Sequence, residues 1–459
     1  MLRWLLLSVV TFGLMAADLA GGIERLLDTI PAGGRAGVLV YDNTTRKMLY
    51  RRNGEALFAP ASVVKLIVSA AALLELGPDW RFRTSLVAMG PQRGDTIPGL
   101  GIDATGDPCL DEHFSDGDPE RFFREWATKL KTLGIRRIDG DIVVDRSRFS
   151  GPVKAPTWPQ DHNNQQSWYS APSSAFAWNN NCIRLRVIPT DNGRPARIEL
   201  MPLSPLVPLL NRTQTAPKAN NNVIANRDGN SNAVTVSGTY SQRTGWLDLG
   251  LHDNADLAAA GHMATVFARQ GITITGSVVV GAVPHDAREL VREEHSLGDA
   301  VNIYNQHSQN FYGEQIVRVL GWERFREGSV TAGTRAVQAI LREHLGMDLG
   351  GYTLLDGCGL SYDNQACADF LARLLVFMDA HPLGPRYRDS LKIMNHGSMQ
   401  GRVKTGLLAI ARCLTGYLDR SDGSRVTFVI LLNRGEAKTT GWMIGLREKI
   451  FAVIGDNIQ

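Results

Sequence analysis

The hydrophobic pattern is strongest just after residue 60, where apolar residues follow one another at helical spacing as far as Leu76. Gly77-Pro78 predicts the end of this helix, because glycine adopts the left-handed conformation at low cost and proline cannot continue a helix. The helix begins at Ser62, after a short turn-prone lead-in, and Lys65 follows one turn later. Residues at i and i+3 share a helix face, so the Ser62 hydroxyl and the Lys65 amine can touch.

Strand patterns occur towards both ends of the chain. Near the N-terminus, β-rich runs at residues 37–41 and 47–51 flank a polar turn, which predicts a hairpin. Near the C-terminus, runs at residues 413–418 and 426–432 are joined through Asp422-Gly423, a strong hairpin signal. Further helical patterns lie at residues 300–307, 311–319, 329–345, 366–379 and 442–454.

The middle of the chain has a different texture. Between residues 84 and 294, short strands alternate with Gly, Pro and Asp, and helices are predicted at residues 119–133 and 254–270. No convincing pair of nucleophile and base occurs there. We therefore predict that residues 18–83 and 295–459 form one α/β (α+β) domain, and that residues 84–294 are a β-rich insertion made of two nested domains.

The first 17 residues have the pattern of a secretory signal peptide. A positive charge at Arg3 precedes a short apolar run that ends in small residues at Ala16-Ala17, and this run is shorter than the ~20 residues that a membrane span needs. We expect residues 1–17 to direct export to the periplasm and to be removed. The alternative is an uncleaved anchor, which would give the protein a peripheral association with the membrane.

Composition limits the kinds of protein that this chain can be. Its 459 residues suffice for two or three domains, and its net charge of +3 gives no argument for nucleic-acid binding. The five cysteines show no C-x-x-C spacing, so we expect no zinc site and expect the cysteines to be buried or paired. No phosphate-binding glycine loop and no dinucleotide fingerprint occurs, so no cofactor is expected. The oligomeric state stays open.

Two further polar motifs lie far downstream of Ser62. Ser308-Gln309-Asn310 leads into a helix, and Lys404-Thr405-Gly406 opens a strand. S-x-x-K, S-x-N and K-T-G elements in this order are typical of β-lactamases and penicillin-binding proteins. The wide gap before Ser308 resembles that of the low-molecular-mass penicillin-binding D-alanyl-D-alanine carboxypeptidases/endopeptidases with large inserted domains. Flanking stretches that share this resemblance lie at residues 105–108, 140–145, 169–175 and 356–361.

The resemblance implies a β-lactamase/transpeptidase-like catalytic domain, with an antiparallel sheet flanked by helices, that acts on peptidoglycan stem peptides. Ser62 would attack the penultimate D-alanine carbonyl and form an acyl-enzyme, with Lys65 as its base. Ser308 would pass a proton to the leaving D-alanine, and Asn310 would hold Lys65 and the substrate amide. β-Lactam antibiotics would be covalent inhibitors.

The same resemblance implies that the strand after Lys404 binds the substrate. Lys404 and Thr405 would attract the terminal carboxylate, and Gly406 would let the substrate approach the backbone. The backbone N–H groups of Ser62 and Leu407 would form the oxyanion hole, in which one donor typically contributes a factor of about 10² to 10³ in rate. Positive charge on Lys404 would also favour the neutral form of Lys65, since like charges disfavour each other.

The sequence departs from the family pattern at two functional positions. Leu407 stands where the family has Ser or Thr, and Cys358 replaces the Ser of the usual Asp-Gly-Ser-Gly loop. Gly359 and Ser361 of that loop are expected at the rim of the site. Two acidic residues in family-like stretches of the insertion, Asp107 and Asp145, are interpreted as structural.

Two alternative functions use the same residues. A β-lactamase would share the Ser62 acylation but would need a water-activating group for fast deacylation, and the large insertion favours a polymer-directed enzyme over it. A catalytically weak, penicillin-binding scaffold protein of the cell wall would keep the fold without turnover, which is the interpretation that Leu407 supports.

Overall fold

The computed structural model describes residues 19–219, 222–346, 350–397 and 399–458. These residues form two compact units, one of residues up to Asp79 with 297–313 and 334–459, and one of residues 80–296 with 314–333. The predicted signal segment lies outside the described residues. Across the described ranges, no helix is both long enough and apolar enough to cross a bilayer.

A six-stranded antiparallel sheet forms the centre of the first unit. Its middle strand, Arg425–Asn433, is buried at eight of its nine positions, because apolar residues follow one another without alternation. Every neighbouring pair in the sheet is antiparallel. The strand order is Lys392–Ile393, Gln400–Leu408, Ala411–Asp419, Arg425–Asn433, Arg35–Asp42 and Lys47–Arg52.

Helices cover both faces of this sheet. On one face, the helix at residues 19–27 and the C-terminal helix form an apolar core with strand residues such as Val38, Leu414 and Ile430. On the other face, the helix Val64–Leu76 is buried at each of its first ten positions, as expected of a helix that is apolar all round. The other helices of the unit are Leu297–Gln306, Ala368–Ala380, Gly384–Asp389 and Trp442–Asn457, and a small hairpin pairs Tyr352–Thr353 with Gln365–Ala366.

Two helices, Asn310–Phe325 and Val330–Leu345, have residues in both units, because the division falls within each of them.

The second unit contains a mixed five-stranded sheet and three small sheets. The five-stranded order is Val278–Val280, Ile142–Val144, Leu100–Ala104, Arg81–Ala88 and Glu289–Ser296. The small sheets are Thr273–Ile274 with Arg137–Ile138 and Thr96–Ile97, Leu209–Thr215 with Val234–Tyr240 and Ile224–Arg227, and Leu247–Gly250 with Cys182–Ile188 and Arg197–Met201. The helices are Glu120–Thr132, His162–Gln166 and Ala255–Arg269.

Apolar residues of the second unit form two separate cores. One core packs Phe123 and Trp126 of the helix Glu120–Thr132 with strand residues that include Ile102 and Ile142. The other core lies among the later strands and includes Leu185, Val236 and Tyr240. The predicted division of the insertion into two nested domains, and its boundaries at residues 84 and 294, stay predictions.

Most predicted elements agree with the structure to within a few residues, but several strands of the second unit were missed, among them Leu209–Thr215, Ile224–Arg227 and Glu289–Ser296. The two hairpins predicted near the chain ends are confirmed by antiparallel pairing. Glu289–Ser296 was missed because its polar, charged sequence lacks an apolar alternation, whereas its pairing with Arg81–Ala88 makes it an edge strand.

Candidate active site

Ser62 lies in a single 3-10 turn, Ala61–Val63, directly before the buried helix Val64–Leu76. Its side chain is partly exposed, whereas both of its neighbours are buried. Ala61 has a φ of 51°, a left-handed conformation that costs a residue with a side chain about 1–3 kcal/mol and tends to occur at functional sites. The turn therefore presents one hydroxyl at the end of a rigid, buried helix.

Lys65 is fully buried and lies 3.1 Å, Nζ to Oγ, from Ser62. The same Nζ donates to Oδ1 of Asn310 at 2.8 Å and to the backbone carbonyl of Cys358 at 2.5 Å. The ring of Tyr304 lies below this amine, with its centroid 5.6 Å away. Two oxygens and an aromatic face thus fix the position of the amine beside the Ser62 hydroxyl.

The second motif lies at the start of the helix Asn310–Phe325. Asn310 is the first residue of the helix, and Ser308 has a left-handed φ of 56° two residues earlier. This conformation places the Ser308 hydroxyl against Lys404, whose Nζ donates to it at 2.9 Å. The predicted proximity of the two distant motifs is therefore present in the structure.

Lys404 lies within the strand Gln400–Leu408 and is only 2% exposed. Besides Ser308, its Nζ contacts the backbone oxygen of Thr405 at 3.0 Å. Burial, followed by repulsion from Lys65 and Lys392, holds the pKa of Lys404 well below its usual range. Burial and the nearby lysines thus make a positive charge on Lys404 less favourable than the sequence led us to expect.

Gly406 and Leu407 continue the same strand with opposite environments. A Cβ on Gly406 would lie 2.5 Å from the carbonyl oxygen of Pro60, so only glycine allows the strand to approach the turn that carries Ser62. Leu407 is 65% exposed, and Thr405 is partly exposed. The strand with the Lys404-Thr405-Gly406 motif is thus packed against the backbone that directly precedes Ser62.

Sequence reasoning missed the role of the loop that follows Leu355. The Asp356 carboxylate is fully buried and accepts from the N–H groups of Gly359 at 2.8 Å and Ser361 at 2.7 Å, and from Nδ2 of Asn364 at 2.8 Å. These bonds fix the Cys358 carbonyl that contacts Lys65. The Asp-Gly-x-Gly pattern was visible in the sequence, but the contribution of a backbone oxygen leaves no side-chain signal.

Gly359 brings this loop against the Ser62 turn. Its φ is +85°, and a Cβ there would lie 2.1 Å from the carbonyl oxygen of Ala61. Ser361 is fully buried and is held through its N–H by Asp356. Gly359 is therefore next to the turn, whereas Ser361 stabilises the loop from within.

Asp107 and Asp145, the two acidic residues that were interpreted as structural, lie in the second unit and bind nearby polar groups. Asp107 accepts from the N–H of Cys109 at 2.9 Å and pairs with Nδ1 of His295 at 2.7 Å. Asp145 accepts from the N–H groups of Ser147 at 2.7 Å and Val283 at 3.1 Å. Both carboxylates organise local backbone, as the structural interpretation requires.

The cysteines are buried, as expected, and the structure forms no disulfide among Cys109, Cys182, Cys358, Cys367 and Cys413. Desolvation raises the pKa of the Cys413 thiol to about 12, which makes it unreactive at neutral pH. Of the two expected states, buried or paired, the structure therefore has the first.

Comparison with known proteins places the whole arrangement in a family. The chain is 28% identical over 453 residues to the D-alanyl-D-alanine carboxypeptidase of an Actinomadura species, covering 92% of this chain and 82% of that protein. It is 24% identical over 442 residues to the D-alanyl-D-alanine carboxypeptidase DacB of Haemophilus influenzae, covering 90% and 88%.

Solved structures share the fold. The crystal structure of penicillin-binding protein 4 (dacB) from Haemophilus influenzae matches with a TM-score of 0.77 at 22% identity, covering 95% of this chain and 99% of that one. The same protein complexed with a β-lactam matches with a TM-score of 0.72. This confirms the predicted fold class of a transpeptidase-like domain with inserted sheets. Residues 19–447 match the D-Ala-D-Ala carboxypeptidase 3 (S13) family, so the chain belongs to that family.

Proposed function

We propose that this chain is a serine-type D-alanyl-D-alanine carboxypeptidase that cleaves peptidoglycan stem peptides through an acyl-enzyme on Ser62. One observation carries the proposal: a fully buried lysine amine lies 3.1 Å from a partly exposed serine hydroxyl and is held there by Asn310. A nucleophile within hydrogen-bond reach of a base, with the base oriented by a third group, is the geometry of covalent catalysis.

The partners of Lys65 suit the role of a base. A neutral amine has two N–H donors and one lone pair. The Asn310 and Cys358 oxygens can only accept, so they take both N–H groups when Lys65 is neutral. The lone pair is then left for the Ser62 hydroxyl, and the amine is ready to accept that proton. Burial favours this form, because desolvation disfavours an ammonium.

The reaction begins when Ser62 Oγ attacks the carbonyl carbon of the penultimate D-alanine and its proton passes to Lys65. The backbone N–H groups of Ser62 and Leu407 stabilise the oxyanion, and a backbone donor does not depend on the side chain at 407. The C–N bond then breaks, and Ser308, in contact with Lys404, passes a proton to the leaving amine and receives in exchange the proton that Lys65 took from Ser62, so Lys65 is neutral again. Water then attacks the ester carbonyl and gives a proton to Lys65, which returns it to Ser62 Oγ as the acyl group leaves.

Substrate binding is assigned to the strand Gln400–Leu408. Lys404 and Thr405 contact the terminal carboxylate, and the negative charge of that group favours protonation of Lys404 when the substrate binds. Gly406 keeps the strand close to the Ser62 turn. We further propose DD-endopeptidase activity on cross-linked peptides, because the same acyl group can be released from either a D-alanine or a cross-linking amine.

The proposed substrate places the enzyme outside the cytoplasm. We assign it to the periplasm, where stem peptides are exposed, in keeping with the signal pattern of residues 1–17. β-Lactams would acylate Ser62, since they present a carbonyl and a carboxylate in a similar arrangement. No step of this mechanism requires a metal or a cofactor.

The test is labelling with a fluorescent penicillin and release of D-alanine from a stem pentapeptide. Wild-type protein should be labelled and active, and Ser62→Ala should lose both properties. Ser421→Ala, at an exposed hairpin turn, is the matched control and should be unchanged. Equal labelling of wild type and Ser62→Ala would contradict the assignment of Ser62 as the nucleophile.

Two further measurements separate the alternatives. Rapid nitrocefin turnover with a short-lived acyl-enzyme would indicate a β-lactamase. Stable labelling with no release of D-alanine and no cleavage of cross-linked dimers would indicate a scaffold protein.

A further inference from the structure

Tyr304 is a fully buried tyrosine whose ring and hydroxyl both contact the surroundings of Lys65. It lies in the helix Leu297–Gln306, shortly before Ser308, and belongs to none of the three sequence motifs. The Lys65 amine lies over its ring, 5.6 Å from the centroid. This distance is within the ~6 Å over which an aromatic face attracts a cation.

The hydroxyl of Tyr304 fixes the ring in this position. It donates to the backbone carbonyl of Gly357, the residue before Cys358, whose own carbonyl accepts from Lys65. A Cβ at Gly313 would lie 2.7 Å from the ring and 2.5 Å from the Gly357 oxygen, so glycine there lets the next helix pack against both. One set of contacts thus holds the ring and the loop carbonyl beside the same amine.

Acylation changes the charge of that amine. The lone pair of neutral Nζ takes the Ser62 proton while Oγ forms its bond to the carbonyl carbon and the π electrons of the carbonyl move to its oxygen. Lys65 is then an ammonium, which its burial and the repulsion between it and Lys404 both disfavour. A group that attracts the ammonium more than the neutral amine lowers the barrier, since only interactions that strengthen in the transition state accelerate a reaction.

An aromatic face has this selectivity. Its π electrons attract a cation and do not attract a neutral amine in the same way, and the attraction is larger where water is excluded. The ring also carries no formal charge. It therefore favours protonation of the resting Lys65 less than a carboxylate in the same place would, and Lys65 can keep the neutral form that a base needs.

We propose that the ring of Tyr304 stabilises the ammonium that Lys65 becomes when it takes the Ser62 proton, and so accelerates acylation. The inference rests on the proposed function, since it assigns a further residue to the same site. Tyr304 acts through Lys65 and does not contact the substrate, which makes it a positioning residue.

The experiment measures acylation by penicillin and separates the first-order rate constant from the dissociation constant of the noncovalent complex. Tyr304→Phe keeps the ring, and this phenylalanine is then replaced by forms with one, two and three ring fluorines. Each fluorine withdraws π electrons from the face of the ring but leaves it apolar and of nearly the same size. The rate constant should fall with each fluorine, towards the about 3- to 30-fold loss that removal of the whole attraction would cause. The dissociation constant should stay unchanged, because the ring is fully buried.

Tyr387 is the matched control. It is also fully buried, and its hydroxyl donates at 2.9 Å to the backbone carbonyl of Leu66, in the same helix as Lys65. In the described part of the chain, no cation lies over its ring. The same fluorinated series at position 387 should show no trend in the acylation rate constant.

The outcomes separate this role from the proposed function. If wild type is not labelled by penicillin, the function fails, and the role of Tyr304 fails with it. If wild type is labelled but the rate constant does not depend on fluorination, the ring acts by packing alone and the role is overturned. A loss confined to the dissociation constant, or an equal trend at position 387, overturns it as well. If Tyr304→Phe does not fold, fluorinated tyrosines at position 304 keep the hydroxyl, and an unchanged rate constant in that series again overturns the role.

Discussion

Replacing Asp356 by Asn would test whether the loop carbonyl of Cys358 positions the base. The carboxylate is fully buried and accepts three hydrogen bonds of 2.7–2.8 Å, two of them from backbone N–H groups. An asparagine of the same shape keeps one oxygen, so its oxygen can still accept from Gly359 and Asn364. Its NH₂ group would then face the N–H of Ser361, donor against donor.

The expected loss of stability follows from the number of hydrogen bonds that the asparagine cannot accept. One buried donor left without an acceptor destabilises a protein by about 1–3 kcal/mol. For a unit of this size, each kcal/mol corresponds to about 2–4 °C in the melting temperature. The shift of the loop would also move the Cys358 oxygen away from Lys65. A displacement of about 1 Å in a catalytic constellation can lower the rate about 100-fold.

Thermal unfolding and the rate of acylation by labelled penicillin measure the two effects on the same samples. We expect a lower melting temperature and an acylation rate reduced by more than the change in folded fraction explains. Asp422→Asn, at an exposed turn, is the control and should leave both unchanged. An Asp356→Asn protein that unfolds and acylates like wild type would refute the reasoning.

Three other predictions follow from single features of the structure. Gly406→Ala should destabilise the protein by about 1–3 kcal/mol and slow acylation, since its Cβ would lie 2.5 Å from the Pro60 oxygen; unchanged unfolding and labelling would contradict this. For His295, burial lowers the pKa, but attraction to Asp107 and the hydrogen bond that the ring donates to this carboxylate, with smaller effects of Glu293 and Asp111, outweigh burial and raise the pKa above its ordinary value. The pair should therefore add stability below pH of about 6.5 that is lost as the pH rises through the raised value, so melting temperatures between pH of about 6 and 9 should fall more steeply for wild type than for His295→Asn. Native protein should not react with a thiol reagent such as DTNB, whereas unfolded protein should titrate five thiols without prior reduction; fewer than five would reveal a disulfide.

The candidate site could be predicted from the sequence because its chemistry is carried by side chains in short motifs. Ser62 and Lys65 are one helical turn apart, so local geometry alone predicts their contact, which the structure has at 3.1 Å. The catalytic roles of these residues stay predictions until the variants are measured. The order of the three motifs, and not any one of them, indicated the family that the comparisons then confirmed.

Other contributions to the site have no local signature. The Cys358 oxygen is a backbone group, and its position depends on Asp356, whose role is visible only when its three donors are counted in space. The packing of Gly406 against the turn that carries Ser62 depends on the register of the strand Gln400–Leu408, which pairs Gly406 with Cys413. Register is a property of paired strands, so no single stretch determines it.

The sequence by itself determined the buried helix after Ser62, the hairpins near both chain ends, and the identity of the residues that can carry the reaction. These features depend on hydrophobic period, turn residues and side-chain chemistry, which are local. Only the tertiary structure decided the environment of those residues: the burial that lowers the pKa of Lys404 and the oxygens that orient Lys65. Burial and the distances between charges set proton affinities, and both arise only when segments distant in the chain pack together.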